Sequence, residues 1–363
     1  MSKKRINVTK SFLPPMKEYI DKISLIWDNH FLTNYGPLNN ELVEKLENYL
    51  DLKNIHYVNN GTISLLLSLE AMGINHGEII TTPFTFIATI SSIVWQRCTP
   101  VFVDINENDF NINVNKIEEK ITNNTKAILA VHCFGFPCDV EKIDKIAKDH
   151  NIKVIYDAAH SFGTKLKSKS VLSYGDISSC SLHSTKVFHS VEGGLCVVNN
   201  PIYNEKMNSI KNFGTNNGSY EYVGINAKNS EFHAAMGICV LNHIDSIINS
   251  RKHVYEKYTS MLKNIVRIPK IPDNFEYNYI YYPVLFESEE QLLRVFEELN
   301  KNEIFPRRYF YPCLNNLKIF KNNDNTPVAN DVSKRIACLP MDTYLADEDI
   351  DLICRIIIST LKK

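Results

Sequence analysis

Nothing in this chain reads GxxxxGK[ST], and no GxGxxG follows a first strand, so the two commonest nucleotide-binding loops of α/β proteins are missing. Cysteine never recurs at CxxC spacing. The nine cysteines are scattered singly, and an odd number in a chain of 363 residues argues against a disulfide framework. Cys133 and Cys138, the closest pair, lack the second pair of a zinc site, so no metal is expected. Excess charge of one sign is also missing. With 40 Lys and Arg against 41 Asp and Glu, the formal net charge of −1 offers no footprint for nucleic acid or an anionic membrane. No unbroken apolar run approaches the ~18 to 20 residues of a membrane span. The opening "MSKKRINVTKSFLPP" has basic residues without the apolar h-region of a secretory signal. The expectation is a cytoplasmic protein that binds neither nucleic acid nor membrane.

What the chain does have is core material in a regular order. At 44% hydrophobic it can bury a sizeable interior, and its length suits about two domains. Apolar runs at 78–86, 100–105, 126–135, 153–160, 176–185 and 193–199 read as strands. Helix-like segments such as "GTISLLLSLEAMG" and "DVEKIDKIAKDHN" lie between several of them, the second with Val140, Ile143, Ile146 and Ala147 on one face. This alternation predicts an α/β fold with a mostly parallel central sheet and helices on both faces. Past residue 250 the texture changes to "YYPVLF", then a helix with Leu292, Val295, Phe296 and Leu299 on one stripe, and a closing helix with Asp347 as N-cap. The expected division is a large domain over 1–245 and a smaller α+β domain over 246–363.

In open α/β sheets ligands collect at the carboxyl ends of strands, so polar residues just past the apolar runs are the candidates. "YVNNGTISLLL" puts Asn60, Gly61 and Thr62 at a helix start, where free N–H groups suit a phosphate; a plain cap by Asn60 or Thr62 explains them equally. "KVIYDAAHSFG" brings Asp157 directly off a buried strand, where a carboxylate needs a partner such as a protonated pyridine nitrogen, or else caps the next turn. His160 follows it and could donate to a ring hydroxyl or sit satisfied in the core. "SLHSTKVFHSVEGG" sets Lys186 past a strand, the position a Schiff-base lysine requires, with "EGG" expected to turn the chain tightly back into the sheet. In "TTPFTFIAT", Phe86 could stack on a flat heterocycle or pack as ordinary core.

In the order NGT, PFTF, DAAHSFG, S-x-H-x-T-K and EGG, the chain resembles the pyridoxal 5′-phosphate-dependent sugar aminotransferases of the DegT/DnrJ/StrS type, which have the fold type I aminotransferase architecture. The resemblance runs from "LTNYGPLNNELVEKLE" (32–47) to "ACLPMDTYLADEDI" (337–350). It implies that Lys186 forms the Schiff base with the cofactor, that Asp157 pairs with the pyridinium nitrogen, and that His160 lies beside the 3-hydroxyl. It further implies phosphate contacts from Gly61, Thr62 and Ser181, ring stacking by Phe86, and a homodimer in which Asn226 reaches the neighbouring subunit's phosphate. Lys228 and His233 depart from the family's usual Arg and Gln in that last segment.

The implied reaction takes an amino group from L-glutamate, leaves pyridoxamine phosphate, and passes the nitrogen to a nucleotide-linked keto sugar. Lys186, where sugar-deoxygenating relatives carry histidine, implies amino transfer. "TK…EGG" resembles enzymes acting at carbon 4, with dTDP-4-keto-6-deoxy-D-glucose as substrate and dTDP-4-amino-4,6-dideoxy-D-glucose as product, for use in glycans such as the O-antigen of lipopolysaccharide. A carbon-3 aminotransferase, a catalytically silent nucleotide-sugar-binding relative, and a fold type I enzyme of amino acids with an arginine for the α-carboxylate are the alternatives. The segments "NYGP" (34–37) and "RRYFYP" (307–312) with His183, and within them Asn34, Tyr35, Arg308 and Tyr309, are the candidates to hold the sugar nucleotide, because a diphosphate wants cations and a pyrimidine or sugar wants aromatic surface.

Overall fold

Strands buried on both faces must be apolar at successive positions, and the runs at 126–135, 153–160 and 193–199 obey this, whereas the run at 176–185 buries Ser178 and Ser179. The computed structural model describes residues 4–216, 218–320 and 324–362. Its central sheet comprises β1 (Ile55–Val58), β2 (Glu78–Thr81), β3 (Thr99–Phe102), β4 (Thr125–Val131), β5 (Lys153–Asp157), β6 (Ile177–Ser181) and β7 (Gly194–Val198). The seven strands lie in the order β1-β7-β6-β5-β4-β2-β3. Strand β7 runs antiparallel to β1 and β6, and the other neighbours are parallel. Each of the six apolar runs contributes a strand; β1 is an addition that the sequence reading did not name.

Alternating side chains divide between two faces. Ile79, Leu129 and Ile155 point to one side, where they join Leu65 and Leu69 of α3 (Gly61–Ala71), Ile90 of α4 (Ile87–Trp95) and Met207 of α6 (Asn204–Ile210). Their neighbours Ile80, Ile128 and Val154 point to the other, against Val140, Ile143, Ile146 and Ala147 of α5 (Val140–Asp149). All four of those α5 residues are buried, as their spacing predicts. Near β1 and β7 that second face is covered by Leu42 and Leu46 of α2 (Pro37–Leu50) and by Ala234 and Ile238 of α7 (Glu231–Leu241).

Helix α8 (Ile244–Leu262) leads to a separate antiparallel pair, β8 (Tyr282–Leu285) and β9 (Ile336–Leu339). The expected domain division at residue 246 falls in the first turn of α8. Helix α9 (Glu289–Lys301) buries Leu292, Val295 and Leu299, while Phe296 is only half-buried at the margin of the stripe. Helix α11 (Asp347–Leu361) starts one residue earlier than expected: Ala346 occupies the N-cap and Asp347 is the first helical residue, bonded through Oδ1 to His253 Nε2 at 2.8 Å. The capping acceptor is Asp349, whose Oδ2 takes the Ala346 N–H at 3.3 Å. Phe310 connects the C-terminal part to the sheet, its ring centroid 5.6 Å from that of Phe84 and 5.8 Å from that of Phe134. Segment 307–310 is thereby held over the carboxyl edge of the sheet.

Candidate active site

The loops that follow β1, β2, β5 and β6, with the end of β4, converge on a cavity of about 640 Å³ at the carboxyl edge of the sheet. Its walls include Gly61, Thr62, Phe86, Asp157, His160, Ser181, His183 and Lys186, and the C-terminal part adds Tyr281, Arg307, Tyr309 and Phe310. A cleft of similar volume, about 630 Å³, lies at the opposite edge between Gly73, His76, Thr122 and Lys153 and contains none of the residues singled out in the sequence. The carboxyl-edge cavity gathers the chemistry, as sheet topology predicts.

Asp157 ends β5 and is 5% exposed. Burial raises its carboxyl above the ordinary range, while hydrogen bonds from Thr89 Oγ1 to Oδ2 at 2.7 Å and from Ala159 N to Oδ1 at 3.1 Å, and the charge of Lys186, pull it back. Thr89 is fixed in turn by Thr85, with their hydroxyls 2.8 Å apart. A buried carboxylate so supplied with neutral donors is prepared to meet a cation.

Lys186 sits in an excursion between β6 and β7 that is bonded across its base, from Leu182 N to Gly193 O at 2.8 Å and from Ser184 N to Val191 O at 2.7 Å. Burial lowers its amine to about 8, and Asp157 opposes that shift. Among the described residues Nζ has no hydrogen-bond or ion-pair partner of its own. The "EGG" turn works differently from the sequence expectation. The left-handed backbone belongs to Val191, at φ 68°, whereas Gly194 serves close approach: a Cβ there would lie 2.4 Å from the Asn60 carbonyl carbon.

That close approach brings the start of α3 against β6 and β7. Asn60 is its N-cap, accepting from Ile63 N at 2.9 Å, so the capping explanation holds for Asn60. Gly61 and Thr62 then stand in the first turn, where backbone N–H groups lack intrahelical acceptors, and face the cavity beside Ser181. A Cβ on Gly61 would lie 2.9 Å from Ser181 Cβ, which restricts this position to glycine. Phe86 precedes α4 and is 54% exposed, its ring available to the cavity instead of the core.

His160 is buried with Nδ1 lacking a partner among the described residues, and burial, aided by Lys186, holds its pKa well below the usual histidine value. Its ring lies edge-on to Tyr281, at 5.0 Å, and parallel to Phe310, at 6.1 Å. At the rim His183 Nε2 faces Glu192 Oε1 at 3.5 Å while Nδ1 pairs with Thr185 Oγ1 at 2.9 Å.

Three expected substrate contacts lie elsewhere. Arg308 points away from the cavity, clamped by Glu289 Oε1 and the Lys334 carbonyl, each at 2.6 Å; its neighbour Arg307 takes the place at the cavity wall. Asn34 and Tyr35 lie outside their own chain's cavity, both with left-handed φ, in the turn before α2. Lys211 Nζ covers the Tyr35 ring at 4.9 Å. Asn226 is exposed and also outside this cavity. Beside it Lys228 donates to Asn212 Oδ1 at 2.8 Å and His233 pairs with Ser230, so both departures from the motif have local partners. Arg307 and Phe310 fall within the candidate segment 307–312 without being singled out, and Thr89, Glu192 and Tyr281 are the site residues that sequence reasoning did not assign. Of these only Thr89 had a usable signal, one helical turn beyond Phe86.

Comparison with known proteins agrees with the geometry over the same span. The chain is 40% identical to the dTDP-4-amino-4,6-dideoxy-D-glucose transaminase of Shigella dysenteriae, over 99% of both chains. It is 39% identical to the transaminase of the same name from Escherichia coli, over 99% of this chain and 100% of the relative. The structure of DesI in the presence of its TDP-sugar product superposes with a TM-score of 0.95 at 25% identity, covering 100% of this chain and 94% of that one. The motif order of the sequence, the sheet that gathers those motifs at one edge and a family match over residues 16–358 coincide: the chain belongs to the DegT/DnrJ/EryC1/StrS aminotransferase family.

Proposed function

We propose that this chain is a pyridoxal 5′-phosphate-dependent transaminase that moves the amino group of L-glutamate to carbon 4 of dTDP-4-keto-6-deoxy-D-glucose, giving dTDP-4-amino-4,6-dideoxy-D-glucose. The observation that carries the reading is the convergence of Lys186, Asp157 and His160 in one cavity, with the lysine amine lowered to about 8. The two relatives named for the 4-amino sugar support carbon 4 over carbon 3.

The residues fit the cofactor by their own needs. Asp157 offers a buried carboxylate to a pyridinium nitrogen, the orphaned Nδ1 of His160 offers a partner to a ring hydroxyl, and Gly61, Thr62 and Ser181 offer N–H and O–H donors to a phosphate. Phe86 supplies a stacking face. Pyridoxal 5′-phosphate, when bound, supplies the carbonyl that accepts an amino group and the ring that withdraws electrons from the carbon bearing it. Lys186 Nζ, neutral in appreciable fraction near pH 8, removes the proton from the donor's α carbon and later delivers one to carbon 4 of the sugar. Glutamate leaves as 2-oxoglutarate and the ketone becomes an amine, so both substrates use one cavity in turn.

A homodimer suits the surface. Trp95 is 79% and Val223 92% exposed, with Val94, Phe213 and Ile225 also uncovered, an apolar display that calls for a partner. In that assembly Asn226 serves the neighbouring subunit's phosphate site. The enzyme belongs in the cytoplasm, supplying an amino sugar for surface glycans such as O-antigen.

Absorbance spectroscopy tests the reading. The visible band of the cofactor bound to Lys186 should collapse on adding L-glutamate and return on adding the 4-keto sugar, and Lys186→Ala should not complete the cycle. NMR of the product then fixes the aminated carbon; nitrogen at carbon 3 would overturn the substrate assignment.

A further inference from the structure

One buried amide joins the segment that enters β8 to the loop that leaves β5. Asn278 is 1% exposed and lies outside the cavity wall, and both polar atoms of its side chain are in use. Its Nδ2 donates to the His160 carbonyl at 2.8 Å and to the Phe162 carbonyl at 2.9 Å, while Oδ1 accepts from Ile280 N at 3.1 Å. The two hydrogens of the amide nitrogen are thereby both spent on one loop. Among the described residues neither carbonyl receives another hydrogen bond.

That loop carries two of the residues that suit the cofactor, with Asp157 at its start and His160 three positions on. Its first turn is tied within the sheet domain, by Ala158 N to Ser179 O at 2.8 Å and Ser161 N to Ala158 O at 2.9 Å. The carbonyls of His160 and Phe162 are tied instead by the C-terminal part. The His160 oxygen is closely packed between the Asn278 amide and Gly135, where a Cβ would lie 2.8 Å from it. Tyr281, three residues beyond Asn278, meets the His160 ring edge-on at 5.0 Å. The segment that supplies both contacts is itself pinned, since Tyr277 Oη donates to the Phe134 carbonyl at 2.8 Å and the buried Arg251 donates through Nη1 to the Ile280 carbonyl at 3.1 Å. Backbone and ring of His160 therefore take their position from one rigid stretch of the C-terminal part.

We infer that Asn278 is a positioning residue of the reaction: by holding the carbonyls of His160 and Phe162 it sets the loop after β5, and with it the distance of the His160 ring from the cofactor's hydroxyl. The inference rests on the transaminase reading, which gives His160 that place. Removing the amide leaves two buried carbonyls without donors, and the loop shifts to find replacements. A shift of about 1 Å in a group that meets the cofactor is enough to slow the chemistry up to a hundredfold.

The test compares wild type, Asn278→Ala, His160→Ala and the double variant. Each is measured for affinity of the cofactor-free protein for pyridoxal 5′-phosphate, for the pH midpoint of the visible band of the loaded enzyme, and for the rate at which saturating L-glutamate removes that band. Asn278→Ala should slow the glutamate step about tenfold to a hundredfold and displace the pH midpoint in the same direction as His160→Ala. In the His160→Ala background the same change should alter either quantity less than about twofold, because two residues that act through one contact are not additive. Asn199 provides the comparison: its Nδ2 also donates to two carbonyls, Leu172 O at 3.0 Å and Tyr174 O at 2.9 Å, away from the cavity. Asn199→Ala should lower the unfolding temperature and leave band, affinity and rate in place. If Asn278→Ala does not fold, Asn278→Ser, which keeps one donor, enters the same cycle with a smaller effect. Effects of Asn278→Ala that are equally large with and without His160, or a band and rate that match wild type, would overturn the inference. A wild-type enzyme whose band does not respond to glutamate would instead sink the transaminase reading.

Discussion

Thr89 Oγ1 donates a 2.7 Å hydrogen bond to Asp157 Oδ2, joining the first turn of α4 to the end of β5 beneath the cavity. Among the described residues the carboxylate accepts one other hydrogen bond, from Ala159 N, so removing the hydroxyl leaves a buried oxygen without a donor. Thr89→Val should hold Asp157 further into its protonated form and weaken its grip on a cationic ring nitrogen. Affinity for pyridoxal 5′-phosphate, titrated by absorbance, is expected to fall about tenfold. Since the carboxyl is raised by burial, its contribution to the stability of the cofactor-free protein is present at low pH and lost as pH rises through its folded-state value. Stabilisation by the cofactor should accordingly grow over that rise, and less steeply in the variant.

Lys186 carries the opposite sign. Its amine is lowered from an ordinary 10.5 to about 8, so folding disfavours the charged form. Stability from this group is complete above 10.5 and is lost as pH falls through 8. Lys186→Met in the cofactor-free protein should therefore be more stable than wild type at pH 7, by about 1 to 3 kcal/mol after allowing for the attraction to Asp157 that is also removed. Urea denaturation at a series of pH values should show the gap closing between pH 8 and 10.5. A gap that stays constant would mean that the cost of the lysine is steric.

Glu231 is completely buried, and it accepts hydrogen bonds from Leu38 N at 2.7 Å and Asn39 N at 2.9 Å. A carboxylate from α7 thus satisfies the orphan donors at the start of α2 and meets the positive end of its dipole. Glu231→Ala should cost about 2 to 4 kcal/mol in chemical denaturation, and Glu231→Gln less, because the amide keeps an acceptor and loses the charge. The same contact explains the glycine before α2: a Cβ on Gly36 would fall 2.6 Å from the Glu231 carboxyl carbon.

Local patterns made the sheet legible. Runs such as "KAILAVHCFG" must be buried on two faces, and polar residues ending them had to fall at one edge, which singled out Asp157 and Lys186; Gly61 was legible as a helix start, Phe86 as an aromatic past a strand, and Ser181 through the family resemblance alone. Strand β1 escaped because "IHYV" is four residues long and includes His56, whose partner, Asn204, is 148 positions away. The reversed direction of β7 depends on the excursion at 182–193 folding back on itself, which no spacing shows. Arg307 and Arg308 illustrate the limit most clearly. Which arginine faces the cavity is decided by the pairing of Arg307 with Cys338 and the position of Glu289, both contacts made across the fold. Asn34 and Tyr35 could be named as polar and aromatic candidates for a sugar nucleotide, but not the left-handed turn they form or where it sits.

Asn226 offers a test of the assembly that single variants cannot give. It is exposed and lies outside the cavity of its own chain, and the proposed role has it serving the neighbour. Each site of a homodimer would then combine Lys186 of one subunit with Asn226 of the other. Asn226→Asp places a negative charge against a phosphate and should weaken cofactor binding at least tenfold, while Lys186→Ala abolishes turnover. Co-expressing the two variants with different affinity tags and isolating the mixed dimer puts both lesions into one site and leaves the other intact. Turnover should return in the mixed dimer, since its second site pairs a native lysine with a native asparagine. Were Asn226 to act within its own chain, neither site of the mixed dimer would be whole, and turnover would remain at the level of the separate variants.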